Sequence, residues 1–325
     1  MTILVTGATG FIGQHLCSQL HGSGFHVRTL LRSAAQSAQF PAELELEHLT
    51  GDLSDSASLS AACRDVDVLI HLAGVAHVNN ISAKNLQQTN VDGTARLLQA
   101  AIDNQVRRII LLSSSLAQAA ESKHAQSTAY GRSKLEAEQL VLAAQQQGRI
   151  EAVVLRPVNV YGPDMKGNIA GMITRIANGR LPPLPRLDNR ISLVSVADLV
   201  QALTLAVDAV VAAGKIYPVT DGVSYRVGEI EQAIYAALGK NLPAWRTPRM
   251  VLYGAAVLVG CLHNLLSLVG FKRGAGGGIS GRTYQNLVSD NLYSNDVICS
   301  ELGFKPVVNF YDSLPAIVDS ITKKT

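Results

Sequence analysis

The chain has 325 residues, 47% of them hydrophobic and 16% charged, with a formal net charge of +3. That balance describes a globular interior and excludes a disordered chain, while the small charge and the lack of a basic run exclude a nucleic-acid partner. Cys17, Cys63, Cys261 and Cys299 are scattered without C-x-x-C spacing, which excludes a disulfide framework or a cysteine metal site. With a strand pattern at the very start and no signal-peptide pattern, the expectation is a cytoplasmic protein.

Ile3, Leu4 and Val5 make a short β-type run, glycines follow at Gly7, Gly10 and Gly13, and Phe11–Leu20 has a helical pattern. Strand, glycine turn and helix form the setting in which such glycines hold a dinucleotide. Glycine tolerates positive φ and puts no side chain between backbone and phosphate; the helix start offers unpaired N–H groups to the pyrophosphate. The spacing is G-x-x-G-x-x-G rather than G-x-G-x-x-G, and alone it also fits a plain structural turn. His26–Leu31 reads as the second strand. An NAD enzyme carries Asp or Glu at its end; here Leu31, Arg32 and Ser33 stand there. A guanidinium clamps a 2′-phosphate through paired, charge-assisted bonds, so NADP is expected ahead of NAD. Arg32 as a solvated strand-end cation is the bland alternative.

Leu44–Thr50 reads as the third strand, ending in Gly51-Asp52-Leu53. Asp52 either accepts from an adenine amino group or caps the following helix, Ser54–Cys63. Val66–Leu72 is the fourth strand, with the small residues Ala73 and Gly74 at its end, where backbone can lie beside a cofactor. His77 follows in a loop, where a lone histidine is more often structural or solvated. Ala83–Asn104 has helical periodicity, Arg107–Leu112 is the fifth strand, and Ser113-Ser114-Ser115 leads into a polar loop. Tyr130–Gln147 is a helix and Glu151–Leu155 the sixth strand. Alternating strands and helices predict an α/β fold with a Rossmann-type, doubly wound parallel sheet.

Tyr130 and Lys134 are four residues apart and share a helix face. A free phenol titrates near about 10 and is a poor base at neutral pH, but a neighbouring ammonium favours the phenolate. With a strand-end hydroxyl on the substrate oxygen, tyrosine moves a proton while nicotinamide moves a hydride. Alone, the spacing describes an exposed helical pair more readily.

Taken together, Thr6–Gly13, Leu72-Ala73-Gly74, Asn90-Val-Asp-Gly-Thr94, Ser113–Ser115, Tyr130–Lys134 and Arg156-Pro-Val-Asn-Val-Tyr-Gly-Pro163 resemble the extended short-chain dehydrogenase/reductase family. The branch is that of the nucleotide-sugar epimerases and dehydratases, and the resemblance covers most of the chain. It implies a cofactor groove along Gly7, Thr9, Gly10, Phe11, Ile12 and Gly13, with Asp52 and Leu53 at the adenine. Leu72, Ala73, Gly74 and Asn90 would continue the groove, with Lys134 on the nicotinamide ribose. Tyr130 is implied as the acid/base. Ser114 is implied as the hydroxyl, because counting without gaps from the Asn90 motif lands there; Ser115 is the second candidate. Asn159 is implied at a sugar-nucleotide diphosphate. Arg190 and Arg282 fall near the family's diphosphate-binding arginines and read equally as surface cations. No metal is implied.

Two departures stand out. The stretch from Ser115 to Tyr130 is short and lacks the relatives' acidic, proline-rich insert, and Arg32 replaces the acidic strand end. An exchangeable NADPH suits net reduction, whereas an epimerase recycles its own hydride. The expectation is therefore an NADP-preferring oxidoreductase acting at C4 of a UDP-hexose. Reduction of a 4-keto sugar in polysaccharide or O-antigen (lipopolysaccharide) precursor synthesis comes first, and a UDP-glucose or UDP-N-acetylglucosamine 4-epimerase second. A non-catalytic cofactor-binding regulator comes last.

After Pro163 the pattern changes. Gly167–Gly179 reads as a helix, and Leu181-Pro-Pro-Leu-Pro185 as an extended linker. Ser192–Ala213 and Ile216–Val219 should return to the nucleotide domain. The expected division is residues 1–163 and 188–219 for that domain, and 164–187 and 220–325 for a smaller substrate lid. The lid has helices near Val227–Leu238 and Asn295–Leu302. Homodimerisation is expected through the helices at 90–104 and 130–147, following the resemblance. Met250–Phe271 is nearly uncharged between Arg249 and Lys272-Arg273. A buried or dimer-facing helix is its first reading, peripheral membrane contact the second and a membrane span the last. The glycine tract after Arg273 reads as a mobile lid loop or an idle linker.

Overall fold

The computed structural model describes residues 1–75, 82–122, 128–251, 253–254 and 289–323. His77, Cys261, Arg282, the glycine tract and most of 250–271 lie outside the described residues.

Strand β1 (Thr2–Thr6) buries Ile3, Leu4 and Val5 completely. The strands that follow are β2 (His26–Leu31), β3 (Glu47–Thr50), β4 (Val68–His71), β5 (Arg108–Leu112), β6 (Glu151–Pro157), β7 (Asn159–Tyr161), β8 (Arg190–Ser195), β9 (Ile216–Val219) and β10 (Ser224–Arg226). Seven of them form one sheet in the order β3-β2-β1-β4-β5-β6-β9. Every pairing in it is parallel. Parallel sheets are covered on both faces, so their strands read as unbroken apolar runs; Val68, Leu69 and Ile70, and Ile109 and Ile110, are completely buried.

The helices are α1 (Phe11–Gly22), α2 (Ser56–Cys63), α3 (Ala83–Leu86), α4 (Gly93–Asp103), α5 (Ser115–Glu121), α6 (Ala129–Gln146), α7 (Asn168–Ala177), α8 (Val196–Leu205), α9 (Val227–Ala237), α10 (Asp296–Leu302) and α11 (Phe310–Thr322). Leu16, Cys17 and Leu20 of α1 face inward at helical spacing, and α1 packs against α8. One apolar core joins Leu59 and Ala62 of α2, Leu97 and Ala101 of α4, and Ala137 and Val141 of α6 to alternate residues of the sheet. A π-helical turn, Gln87–Asp92, joins α3 to α4 and carries Asn90. Such turns often mark functional positions.

Two units divide the chain: Met1–Val160, Val194–Asp221 and Ser294–Val307 in the first, and Tyr161–Leu193, Gly222–Tyr293 and Val308–Thr325 in the second. In the second unit α7, α9 and α11 pack on one another, and β10 pairs antiparallel with β8. Phe310 makes edge-on contacts with Tyr161 and Tyr225. Residues 294–307 depart from the sequence reading, which put them in the lid. Glu301 of α10 accepts from Tyr217 Oη (2.6 Å) and pairs with Lys215 (3.0 Å), so α10 is tied to β9.

Other corrections are local. The cap of α2 is Asp55, whose carboxylate accepts from the N–H groups of Ala57 and Ser58. Asp52 instead folds back on Ser54, taking both its N–H and its hydroxyl. The stretch after Ser114 is not all loop, because Ser114 caps α5.

Candidate active site

The turn after β1 is built on close backbone approach. Gly7 has φ +73°, and a Cβ there would lie 2.6 Å from the Ala73 nitrogen at the end of β4. A Cβ on Gly13 would lie 2.3 Å from the Gly7 oxygen. Only glycine fits either place. Gly10, the N-cap of α1, has no side chain to bond the first-turn N–H groups. Those groups suit a pyrophosphate, so this loop fits a dinucleotide. Thr9, Phe11 and Ile12 are partly exposed beside it.

At the end of β4, His71 is buried with both ring nitrogens engaged. Nδ1 lies 2.7 Å from Thr6 Oγ1 and Nε2 lies 3.0 Å from Thr94 Oγ1. Thr94 donates to the Asn90 carbonyl (2.6 Å), and Thr6 Oγ1 accepts from the Ala73 N–H (3.3 Å). Asn90 Oδ1 accepts from the Val75 N–H (2.7 Å), and its Nδ2 donates to Ser133 Oγ on α6 (3.0 Å). Burial, aided by the Lys134 charge, pushes the His71 pKa down from 6.5 to about 3.

Helix α6 starts on a Thr128 cap and carries Tyr130 and Lys134. The Tyr130 phenol shares a side-chain hydrogen bond with Ser114. A Cβ on Gly74 would lie 3.0 Å from Asn90 Oδ1 and 3.7 Å from Lys134 Nζ, so the amine stands at the glycine just past β4. Tyr130 keeps part of its surface open, but its phenol end is enclosed. Burial lifts its pKa to about 12, and the Ser114 bond opposes this. Burial brings Lys134 down to about 8, and the Glu138 charge opposes this. The sequence reading had Lys134 drawing the phenol down. Here desolvation outweighs every group that lowers it, and the resting phenol holds its proton.

Ser114, Tyr130, Lys134, Asn90 and Gly74 are thus brought together. Ser115 is buried beside Ser114. Leu72 and Ala73 border the turn through the approach to Gly7. At the far end Arg32 is exposed, and its charge helps hold the Asp52 carboxyl below the usual range, after the two Ser54 hydrogen bonds. Leu53 packs against Gly93. Asn159 is exposed at the start of β7. Arg190 is exposed at the start of β8, and its backbone N–H bonds Asp290.

Sequence reasoning missed His71 and Glu138. Glu138 is buried (1% exposed) and takes hydrogen bonds from Ser113 and Arg156. Its signal was the spacing Tyr130, Lys134, Glu138, one residue per helical turn along one face. The signal for His71 was a polar residue ending an otherwise apolar strand.

A family model described as "NAD dependent epimerase/dehydratase family" matches residues 3–220. The UDP-glucose 4-epimerase of Vibrio cholerae is 31% identical over 263 residues, 76% of this chain and 78% of that protein. Sterol demethylase protein B of Methylococcus capsulatus is 30% identical over 271 residues, 79% of this chain and 81% of that protein. The solved structure titled "MoeE5 in complex with UDP-glucose and NAD" superposes with a TM-score of 0.76 at 23% identity, covering 100% of this chain and 99% of that one. At that identity it bears on the fold alone.

Folding depresses the His71 pKa, so the unfolded chain binds a proton that the folded chain refuses. The stability present above pH 6.5 is lost as pH falls toward 3. Wild type is expected to lose about 1.4 kcal/mol more per pH unit in that window than His71→Gln. Urea unfolding between pH 7 and 4 measures this, and parallel curves for the two proteins would refute it.

Proposed function

The chain belongs to the NAD-dependent epimerase/dehydratase family, and from that premise we propose that it transfers a hydride at C4 of a UDP-hexose, reducing a 4-keto sugar nucleotide with NADPH. The observation that carries the reading is the Tyr130 phenol bonded to Ser114, with the Lys134 amine beside Gly74. Gly7, Gly10 and Gly13 would hold the cofactor pyrophosphate, Asp52 and Leu53 the adenine end, and Asn90 and Lys134 the nicotinamide end. When bound, the nicotinamide supplies or takes up the hydride. Ser114 orients the sugar oxygen. Tyr130 gives that oxygen its proton, and the Lys134 ammonium stabilises the phenolate left behind. Reduction needs Tyr130 in its protonated form, the form that burial favours.

Asn159, Ser115, Arg190 and Arg282 are proposed on the substrate side, and substrate binding as the role of the second unit. The 4-epimerase reading stands second, favoured by the similarity to the Vibrio cholerae enzyme. A regulator without chemistry is third. A cytoplasmic homodimer making O-antigen precursors completes the proposal.

For the stretch 250–271, membrane contact has one observation in its favour. Met250, Val251 and Tyr253, at its described start, are 86%, 59% and 55% exposed. Among the described residues no helix is long and apolar enough to cross a membrane.

Incubation with UDP-sugars and 4-keto UDP-sugars, with and without NADPH, tests the reaction. Net NADPH consumption on the keto sugar is expected, and product formed without it means epimerase. Tyr130→Phe is expected to lose about a hundredfold or more in turnover; unchanged turnover removes the mechanism. Arg32→Ala is expected to weaken NADPH binding roughly tenfold or more while leaving NADH alone, read by fluorescence titration. Wild type binding NADH tighter than NADPH reverses the preference. Sedimentation with anionic phospholipid vesicles tests the membrane contact: pelleting supports it, and a chain left wholly in the supernatant removes it.

A further inference from the structure

Glu138 lies one helical turn beyond Lys134 and is almost completely buried. An isolated carboxylate in such a place is costly, and partners must hold it. Arg156 on β6 supplies them: its Nη2 donates to Oε2 at 2.6 Å, and its Nε donates to Oε1 at 3.0 Å and to Oε2 at 3.2 Å. Ser113, at the end of β5 and next to Ser114, donates to Oε1. The other arm of Arg156 reaches Glu121 of α5 at 2.9 Å.

We infer that Glu138 is a positioning residue for Tyr130 and Lys134: held by Arg156 and Ser113, its carboxylate fixes α6 against the ends of β5 and β6 and keeps the Lys134 amine charged. The inference rests on the proposed function for what those two residues do, but not for where they are.

The charges make the second half of the inference specific. Arg156 and Lys134 are cations, Glu138 and Glu121 are anions, and the cluster balances only while Lys134 is protonated. Burial works against that ammonium, and Glu138 is the charge that opposes the loss. His71 on β4 is held neutral partly by Lys134 itself, Arg132 and Glu136 of α6 are exposed, and Arg108 and Glu151 on β5 and β6 pair with each other. Tyr130 shares the helix. Lys84, Asp92, Arg96 and Asp103, on the segments packed beside α6, are all at least partly exposed.

A carboxylate serving only as a strut would leave the Lys134 titration unmoved when replaced by an amide. The test is therefore the Lys134 titration itself, followed by NMR on the cofactor-free chain carrying 13C-labelled lysine, with the signal assigned by its loss in Lys134→Arg. Wild type is expected to titrate near 8. Glu138→Gln is expected to lower that midpoint by about one pH unit or more. An unmoved midpoint in the folded variant overturns the inference. If Glu138→Gln leaves Arg156 unpaired and does not fold, the double variant Glu138→Gln/Arg156→Gln is read against Arg156→Gln rather than against wild type: the midpoint is expected to be lower in the double variant, and equal midpoints overturn the inference. Because no turnover is needed, a wild type inert on every sugar nucleotide sinks the proposed function without touching this result.

Discussion

The site depends on a chain of buried hydrogen bonds in which every donor has one acceptor. Thr94 gives its hydroxyl proton to the Asn90 carbonyl, so it receives one from His71 Nε2. The other ring nitrogen is then bare and accepts from Thr6. Thr6 in turn accepts from the Ala73 backbone. One tautomer of one histidine therefore links the strand before the glycine turn, the end of β4 and the start of α4. Buried polar networks of this kind are worth most when no member is left over. A proton added to Nδ1 would turn Thr6 from donor to acceptor and take away the partner of its hydroxyl hydrogen, a cost added to those that burial and the adjacent lysine already place on a charged ring.

Helix α6 is fastened at two points, and Lys134 sits between them. On one side Ser133 accepts from Asn90 and donates to the Tyr130 carbonyl. On the other, Glu138 is clamped by Arg156 and Ser113. The first tie joins the helix to the network at β4, and the second joins it to β5 and β6. The amine and the phenol thus belong to a helix whose rotation and slide are both restricted by side chains that do not touch a reacting atom. Glycine adds a third restriction: a Cβ on Gly131 would lie 2.4 Å from the Leu116 carbonyl oxygen, so α5 and α6 meet backbone to backbone beside Tyr130.

What the sequence made legible follows the strength of local pattern. Short apolar runs bounded by turns placed β2 at His26–Leu31 and β9 at Ile216–Val219 with the bounds later found, and the glycine turn announced itself. Helix α5 reads as loop in sequence because SLAQAAE is short and carries little apolar periodicity, and its cap, Ser114, doubles as the candidate hydroxyl. Helix α11 was missed altogether, and Pro315 inside it reads as a breaker in sequence. Placing 294–307 with the first unit required knowing that Tyr217 and Lys215 meet Glu301 in space. His71 and Glu138 share a reason for being missed. Their types say surface, and only tertiary packing reveals that both are buried and fully bonded.

In the proposed function the same pair of side chains serves either of two reactions that differ in where the proton goes. Reduction of a ketone consumes one hydride and one proton, so each turnover ends with a phenolate that must recover a proton from outside. Epimerisation takes a proton and returns it within one visit, and needs no exchange with water. The phenol end of Tyr130 is enclosed, and Lys134, a turn away, is almost closed to solvent. A phenol that burial keeps protonated is refilled downhill. That protonated resting form is the one from which the proposed reduction starts. Under the proposed function, the proton demand placed on Tyr130 separates the two readings on physical grounds independent of the nucleotide preference proposed for Arg32.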